Sequence, residues 1–508
     1  MLSQEQVNAM PERIARRLEK LNIDILNVIG RRVREIGRLT QSDAHKLQQI
    51  RTYHADIERL IAEKDKIDVK NVQEIYEIFD IVAEDNLLRV KPLYGVADVP
   101  FVEYKHNKVL QQWVKALARQ TADTYANLSQ ATAFMTYDAR GNKVFTDLSE
   151  TYKNLIEDAV TAVSTGVTDY KSAMRKSLKD LADSGLRTKY QPLKGPAGKI
   201  VSYASGYSRR LDTAVRQNIL WGVKECNLGI QEQLGEALGA DGYEIDYHKN
   251  PRPSHAPMGG EQFVAGSPRK IRGKYYQSFE EKAEPFLKEY GCLHFKTPII
   301  CGISVPNWNA AQLRKMKAQD METFEYEGKS YTGYEATQAQ RRLETKLRHA
   351  KDRQIIAKAA GDDFLRRQEQ SKINGLLFEY QRFSDAAGLS YKTDRMSMSG
   401  YHKVKTNEEV FAGYFKGRGA ANGLSVKSIT AHTIDRALQR GVPMEKIADA
   451  LTNPVHIDKI KTDSRGRQSQ RFIGQSATVN INPDTGAVVT VWRTGSREIK
   501  KYGGGKKK

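Results

Sequence analysis

The chain has little cysteine and no long apolar run, and each lack excludes a class of protein. Three cysteines among 508 residues cannot form a disulfide framework, so we expect a protein of a reducing compartment such as the cytoplasm. No apolar run approaches the ~18–20 residues that span a bilayer, so we expect no membrane partner. The first residues lack the basic and apolar regions of a secretory signal, and we expect none.

Acidic residues are fewer than basic ones, and the difference is uneven along the chain. The formal net charge is +20. Residues 421–508 hold 16 Lys and Arg against 7 Asp and Glu, a net charge of +9 in the last sixth of the chain. This bias favours nucleic acid over membrane as a partner, because no strongly basic amphipathic anchor is present. A solvated basic surface that ends in the tail Lys506–Lys508 is the alternative.

Helical periodicity dominates the first half of the chain. Apolar residues recur at three- and four-residue spacing within 11–39, which predicts an amphipathic helix. Helical patterns continue to about residue 90, break at Lys91–Gly95 and resume over about 105–185. A loop rich in Gly and Pro is expected at 186–201, and a further helix at about 208–239. These helices are expected to form a scaffold or a docking surface.

The pattern changes at Tyr243–Tyr247, an alternating run that predicts a half-buried strand. Three prolines and a Gly-Gly pair follow within Asn250–Phe263. Proline fixes φ and removes a backbone donor, so this segment can be neither a helix nor a central strand, and we predict a rigid loop. The polar residues in and near this loop are His248, Arg252, Ser254, His255, Cys292, His294 and Cys301.

The cysteines and histidines near this loop leave two interpretations open. Cys292 and His294 stand at i and i+2, which places both on one face of a strand. Cys301 or His255 could then complete a tetrahedral metal site. The spacing matches no common zinc module, however, and there is no CxxC pair. We therefore predict a buried, hydrogen-bonded polar cluster without metal or cofactor, and the metal site is the alternative.

A capping box is predicted at Thr332–Glu335, and it opens a helix that extends to about residue 359. The positions expected to face inward are Leu343, Leu347, Ala350 and Ile355. The expected outer face is basic and carries Arg341, Arg342, Lys346, Arg348, Lys351 and Arg353. Gly361 ends this helix, and Asp362 caps the next one, which runs to Gly388. Residues 389–425 have little periodicity and are expected to be a linker.

From Ser425 onward the sequence predicts a small α+β unit. One helix is expected from near Ser428 or Thr430 to Gly441 and a second over Met444–Leu451. Four strand-like runs follow: Val455–Lys461, Gln470–Ile473, Ala477–Asn482 and Ala487–Arg493. The turn Pro483–Gly486 makes the last two strands a hairpin. We expect a four-stranded antiparallel sheet against two helices.

The polar residues of this unit share faces that suit RNA cleavage without a metal. His432, Arg436 and Arg440 stand four residues apart on one helix face. Thr490 and Trp492 alternate with valines, which predicts one apolar and one polar sheet face. Such cleavage needs a group that moves the 2′-hydroxyl proton, cations that stabilise the negative charge of the phosphorane, and a ring that stacks on a base. The candidate catalytic residues are His432, Arg436, Arg471, Thr490 and Arg493, and the candidate nucleic-acid-binding residues are Arg440, Lys461, Trp492 and Arg497.

Other interpretations of this unit stay open. His432 could cap or pack the first helix, while Arg436 pairs with Asp435 or Glu445. The unit could also bind DNA or RNA without cleaving it, since an open polar face alone does not separate binding from cleavage. No set of Asp and Glu suited to two-metal chemistry is visible in this part of the sequence, which favours a route without metal.

Three motifs follow in order along the chain: Val201–Arg216, Tyr247–His255 and Tyr331–Arg348. Together they resemble the phage minor capsid protein 2 family, itself similar to the Mu F-type head morphogenesis proteins, over about residues 1–400. The resemblance implies a structural virion protein, present in a few copies next to the portal or inside the procapsid, with portal and head proteins as partners. It implies no catalytic residues. The basic helix face would be either solvated or in contact with the portal or packaged DNA.

The C-terminal motifs Thr430–Arg436 and Val491–Thr494 carry a second resemblance. Residues 425–508 are similar to the barnase/EndoU/colicin/RelE-like nuclease fold, and specifically to the type-50 domain of bacterial polymorphic toxins. This likeness implies an RNA-cleaving effector and an immunity protein as a further partner. The residue that serves as base varies in that family, so the likeness assigns no roles here.

The whole sequence predicts an α+β protein that is mostly α. The expected segments are a helical N-terminal body at 1–200, a Mu F-like α+β unit at 201–310, a basic helical hairpin at 311–400, a linker at 401–424 and an RNase toxin-like domain at 425–508. The expected function is a phage head protein with a C-terminal ribonuclease effector, assembled in the host cytoplasm. The alternative is a purely structural head protein whose C-terminal domain binds nucleic acid without cleaving it.

Overall fold

The computed structural model describes a mostly helical α+β protein, which confirms the predicted fold class. The described residues are 4–39, 43, 46, 55–96, 98–137, 140–166, 169–188, 190–192, 200–202 and 208–502. Part of the loop predicted at 186–201, part of the motif Val201–Arg216 and the tail Lys506–Lys508 lie outside these residues.

Helices make up most of the described chain. They are α1 (Gln4–Ala9), α2 (Glu12–Ile36), α3 (Ala55–Val96), α4 (Lys108–Gln130), α5 (Leu148–Ser164), α6 (Tyr170–Ser184), α7 (Leu211–Ala237), α8 (Phe279–Lys282), α9 (Glu284–Leu287), α10 (Ala310–Met321), α11 (Gly333–Ala359), α12 (Asp363–Ala386), α13 (Thr393–Met396), α14 (Asn407–Phe415), α15 (Ala431–Gln439), α16 (Met444–Thr452) and α17 (Ser496–Tyr502). A 3-10 turn covers Tyr104–His106.

The strands form small sheets between and after the helices. They are β1 (Thr132–Tyr137), β2 (Lys143–Thr146), β3 (Arg187–Thr188), β4 (Tyr190–Pro192), β5 (Ile200–Ser202), β6 (Arg209–Arg210), β7 (Gly242–Ile245), β8 (Gln262–Val264), β9 (Arg269–Ile271), β10 (Lys274–Ser278), β11 (Lys296–Ile299), β12 (Thr323–Tyr326), β13 (Lys329–Thr332), β14 (Ser428–Ile429), β15 (His456–Ile457), β16 (Lys461–Thr462), β17 (Gln468–Ile473), β18 (Ala477–Asn482) and β19 (Ala487–Arg493). Their orders within the sheets are β2-β1-β3-β6, β11-β7-β8-β10-β9, β4-β5, β12-β13 and β14-β19-β18-β17-β15, with β16 on β17.

Helix α2 confirms the amphipathic pattern predicted over 11–39. Its apolar stripe, which includes Ile14, Ile25 and Ile36, is fully buried. The stripe packs against α3, α5 and α7, so α2 lies at the centre of the helical body. Burial of an apolar stripe on several sides stabilises a helix far more than its intrinsic propensity does.

Two local predictions for the body are wrong. The predicted break at Lys91–Gly95 is absent, because α3 continues through Pro92 to Val96. Pro92 lies four residues before the end of the helix, and Val90, one position beyond its neighbour, is buried in the body core, so packing outweighs one lost backbone hydrogen bond. The hairpin β1–β2 interrupts the helical pattern expected over 105–185, since Thr132–Tyr137 is rich in β-branched and aromatic residues.

Buried ion pairs connect helices of the body. Arg210, just before α7, contacts Asp352 of α11 and Asp212 of α7. Arg348 of α11 contacts Asp212 and Glu19 of α2. Because every one of these side chains is largely shielded from water, their mutual attraction is weakly screened and joins α2, α7 and α11.

These contacts correct the predicted basic outer face of α11. Arg341, Arg342 and Lys346 are exposed, as predicted. Arg348 and Lys351, in contrast, point into the protein: the Arg348 guanidinium forms the ion pairs above, and Lys351 Nζ donates to the Met396 carbonyl. Arg353 is also mostly buried, between carboxylates of α6 and α12. Helix α11 packs on several sides, so of the six residues predicted for its basic outer face the three exposed ones lie in its first half.

The predicted ends of α11 and α12 are confirmed. Thr332 and Glu335 form the capping box, with the Thr332 hydroxyl accepting from the Glu335 amide. The Asp362 carboxylate accepts from the Leu365 amide at the start of α12, and Gly361 and Gly388 have positive φ after the two helices. The two helices pack along each other as an antiparallel hairpin.

The central unit is the sheet β11-β7-β8-β10-β9. Its strands pair antiparallel except β8 and β10, which are parallel. The proline-rich segment leaves β7 and returns at β8, and residues 246–261 contain turns but no helix or strand, as predicted. The last two residues of the predicted loop Asn250–Phe263 correct the prediction, because Gln262 and Phe263 lie in β8, an inner strand of the sheet. This loop packs on the sheet through Met258, which is 1% exposed and joins Ile245 and Phe279 in a small core.

The hydrophobic core of the C-terminal helices and sheet includes residues that precede Ser425. The segment 401–424, predicted to be a linker, contains α14, which starts with a capping box at Thr406 and Glu409. Phe411 and Phe415 of α14 lie in the same core as the helices and sheet that follow. The predicted strands Ala477–Asn482 and Ala487–Arg493 match the structure, but the sheet has additional short strands, and β14 pairs parallel with β19. The division of the chain into domains stays a prediction.

Candidate functional site

The C-terminal sheet has one apolar and one polar face, as predicted. Phe472, Val479 and Val491 are register partners on neighbouring strands, and all three are fully buried against α15 and α16. Successive residues of a strand point to opposite faces, so their neighbours form the polar face. A bulge after Asn480 shifts the pairing, so that Val488 is buried and Val489 is exposed, contrary to the predicted alternation.

Several predicted site residues share the polar face. Arg471, Asn480 and Thr490 form one cross-strand row. The next row contains Thr478 and Trp492, and the Trp492 side chain is partly exposed. The guanidinium, the hydroxyl and the indole therefore lie on one face of the sheet, with Asn480 between Arg471 and Thr490.

His432 and Arg436 lie elsewhere. They are on α15, which packs on the apolar side of the sheet through Ile434 and Ala437. His432 is exposed, and within the described part of the chain no hydrogen bond or ion pair involves its side chain. The structure does not bring this helix face together with Arg471 and Thr490.

Arg440 and Arg493 make contacts with the backbone. Arg440 Nη1 donates to the Val491 carbonyl at 3.0 Å. Arg493 Nε donates to the Arg440 carbonyl at 2.8 Å and its Nη2 to the Gly441 carbonyl at 3.2 Å. A cation at the end of α15 satisfies carbonyls that the helix leaves unpaired. Of the other predicted binding residues, Lys461 and Arg497 are exposed.

A polar network on the same face was not predicted from the sequence. His456 Nε2 lies 3.2 Å from Asp458 Oδ1. Arg471 Nε donates to Asp458 Oδ2 at 2.6 Å, and Arg471 Nη1 donates to Glu498 Oε1 at 3.2 Å. The Tyr502 ring stacks on His456 with the ring centroids 4.1 Å apart. We name His456, Asp458, Arg471 and Glu498 the sheet-face network.

The fold explains how the network forms. His456 is the register partner of Ile473, and Ile457 is the partner of the buried Phe472, so His456 faces the polar side. Helix α17 then places Glu498 over that side. The spacing of His456 and Asp458 at i and i+2 was a usable signal in the sequence, because it places both on one face of an extended segment. Glu498 could not be found in this way, since its position depends on how α17 packs.

A second polar group lies in the central unit. His255 comes from the proline-rich loop, and Cys292 and His294 come from the segment that precedes β11. These residues each offer one ligand atom, and the atoms lie within 4.8 Å of one another. Cys292 and His294 are not in a strand, but their side chains do meet, with Sγ and Nδ1 3.7 Å apart. Cys301 packs separately, beside Val264.

This group is buried, as predicted, but it is not fully hydrogen-bonded. His255 and His294 are 1% and 5% exposed. The Nε2 atoms of both rings have no hydrogen-bond partner among the described residues. Burial lowers the pKa of His255, and burial with the neighbouring His248 lowers the pKa of His294 to about 2, so both rings are neutral near pH 7. Neutral imidazoles and a cysteine that binds as its thiolate are donors suited to a transition metal.

The fold as a whole is a helical scaffold that carries two small α+β units. None of the described helices is long and apolar enough to cross a membrane. The family model described as Phage minor capsid protein 2 matches residues 2–376, and the chain therefore belongs to that family. It is a structural protein of the phage head, located in the virion and associated with other head components. No match was found among curated proteins or among solved structures.

Proposed function

We propose that this head protein carries a C-terminal effector that cleaves RNA without a metal ion, and that the sheet-face network is its catalytic site. The observation that carries the proposal is the continuous set of contacts from His456 through Asp458 and Arg471 to Glu498, on the sheet face that also holds Thr490. The similarity of 425–508 to a nuclease fold and the net charge of +9 in residues 421–508 support it further.

Each member of the network has a chemical role in this proposal. The Glu498 carboxylate takes the proton of the 2′-hydroxyl, whose oxygen attacks the adjacent phosphorus. His456, oriented by Asp458, donates a proton to the 5′-oxygen as the P–O5′ bond breaks. The products are a 2′,3′-cyclic phosphate and a 5′-hydroxyl, so the atoms and protons balance without a further reactant.

Arg471 is the proposed cation that stabilises the negative charge of the phosphorane. The two carboxylates hold its guanidinium in place through Nε and Nη1. A guanidinium has five N–H donors, so others remain for a phosphate oxygen. The partly exposed Trp492 ring is the proposed stacking partner of a base. His432 and Arg436, on α15, form the second candidate site.

The test uses purified full-length chain and a short RNA in EDTA. We expect cleavage that yields a 2′,3′-cyclic phosphate and none on the matching DNA, which lacks the 2′-hydroxyl. His456→Ala should lower the rate by roughly 10²–10⁴, the usual contribution of a positioned acid or base. His402→Ala, a second exposed histidine before α14, is the matched control and should leave the rate unchanged.

The outcomes separate the alternatives. If His432→Ala abolishes cleavage and His456→Ala does not, the helix face of α15 is the site and the sheet-face network is structural. If the wild-type chain cleaves nothing but binds RNA or DNA in a salt-dependent manner, the C-terminal unit is a nucleic-acid clamp. If it neither binds nor cleaves, the effector proposal fails and a purely structural role remains.

We also propose that the body sits next to the portal in a few copies, with head proteins as neighbours and packaged DNA within reach. The exposed basic side chains of Arg341, Arg342 and Lys346 on α11 support such a contact. Quantitative mass spectrometry of purified virions should then find fewer copies of this chain than of the main shell protein. A copy number equal to that of the shell protein would overturn the portal-proximal position.

A further inference from the structure

Three potential metal ligands converge in the central unit from two separate segments of the chain. We propose that His255, Cys292 and His294 bind a transition metal ion, with zinc as the first candidate, and that this ion fastens the proline-rich loop to the sheet. The three ligand atoms lie within 4.8 Å of one another. All three residues are at most 5% exposed, so an ion would be shielded from water on most sides.

The unsatisfied imidazole nitrogens are the second observation. Ser254 Oγ lies 3.0 Å from His255 Nδ1, which fixes the ring and leaves Nε2 as the nitrogen available to an ion. That Nε2 atom is buried and has no hydrogen-bond partner within the described chain. A buried polar atom without a partner is costly, and metal-binding histidines commonly use one nitrogen for the ion and the other for a positioning hydrogen bond. His255 has this arrangement.

The distances suit tetrahedral coordination. Zinc binds sulfur at about 2.3 Å and nitrogen at about 2.0–2.1 Å, so the edge between the two ligands of a tetrahedral site measures about 3.5 Å. The observed distance from Cys292 Sγ to His294 Nδ1 is 3.7 Å. This edge already fits, while the other ligand distances, which reach at most 4.8 Å, would have to shorten when an ion binds.

Glu289 is within reach as a fourth ligand. Its Oε2 lies 4.0 Å from His255 Nε2, although Arg252 Nη1 also approaches that oxygen, at 3.5 Å. Two cationic groups oppose an added ion: the Arg252 guanidinium beside Glu289, and Lys224, whose Nζ is buried beside Cys292 and donates to the Leu287 carbonyl.

The metal content of the purified full-length chain is the first measurement. After expression with zinc in the medium, we expect about one zinc per chain. A chelator should remove it and lower the melting temperature of the helical body and central unit. Cobalt(II) substitution should produce the absorption of a thiolate-to-cobalt charge transfer, which reports on Cys292 without any mutation.

Variants assign the ligands. Cys292→Ser and His255→Ala should each abolish stoichiometric binding and the cobalt–thiolate absorption. Ser254→Ala, which removes only the positioning hydrogen bond, should weaken binding by roughly 10–100-fold. Cys301→Ala is the matched control and should keep the metal, because Cys301 packs in a separate cluster.

Two results would overturn the proposal. One is a wild-type chain that contains no zinc or cobalt after reconstitution and melts identically with and without chelator. The other is metal that persists at one ion per chain in Cys292→Ser and His255→Ala, which would place it elsewhere. Because the cobalt spectrum is recorded on the unmodified protein, a variant that fails to fold does not leave the question open.

Discussion

The buried ion pairs of the body make a quantitative prediction at Arg210. The Asp352 side chain is fully buried, and Arg210 Nη1 donates to its Oδ2 atom. Arg210→Met keeps the apolar stem and removes the charge. In the variant, Asp352 has lost its counter-charge, while Asp212 keeps Arg348.

We expect a large loss of stability. Removing one partner of a buried ion pair costs roughly 3–5 kcal/mol, because the other charge stays buried without compensation. At about 2 °C per kcal/mol for a large cooperative unit, the melting temperature of the body should fall by roughly 6 °C or more. Far-UV circular dichroism of the full-length chain measures this change.

The exposed pair of Lys176 and Asp180 is the control. Its atoms are 3.0 Å apart, but the lysine side chain is 83% exposed. Lys176→Met should therefore change stability by no more than about 0.5 kcal/mol. Equal losses in Lys176→Met and Arg210→Met would show that burial does not amplify the interaction, and the argument would be refuted.

Two further predictions concern acid stability and the C-terminal core. Burial alone would raise the pKa of Asp212, but the Arg348 and Arg210 guanidinium groups outweigh it and lower that pKa well below its ordinary value. Its stabilising contribution is therefore complete above the unfolded aspartate pKa of about 3.9 and is lost progressively as the pH falls below that value. The body should thus melt at a lower temperature at pH 3.5 than at pH 6, as measured by circular dichroism. Phe415 is 1% exposed in the C-terminal core, so Phe415→Ala should lower the free energy of unfolding of that unit by roughly 3–5 kcal/mol, measured with denaturant. A decrease below about 1 kcal/mol would mean that α14 is not part of that core and that the predicted linker is correct.

Local chemistry explains what sequence patterns predicted well. The capping box at Thr332, the stop at Gly361 and the hairpin Ala477–Arg493 were all predicted, because each depends on residues only a few positions apart. The amphipathic stripe of α2 was predicted for the same reason.

The remaining features depend on contacts between distant segments, and only the tertiary structure decided them. The charge of Arg348 predicted a solvated position, yet its guanidinium is mostly shielded from water and pairs with carboxylates of α2 and α7. His432 was the natural acid–base candidate, but the packing of α15 separates it from Arg471, and α17 brings Glu498 there instead. The amino-acid sequence determines the helices, caps and turns through residues that are close together in the chain. Which side chains come into contact depends instead on how all the elements pack around the core, because burial is a property of the complete packing.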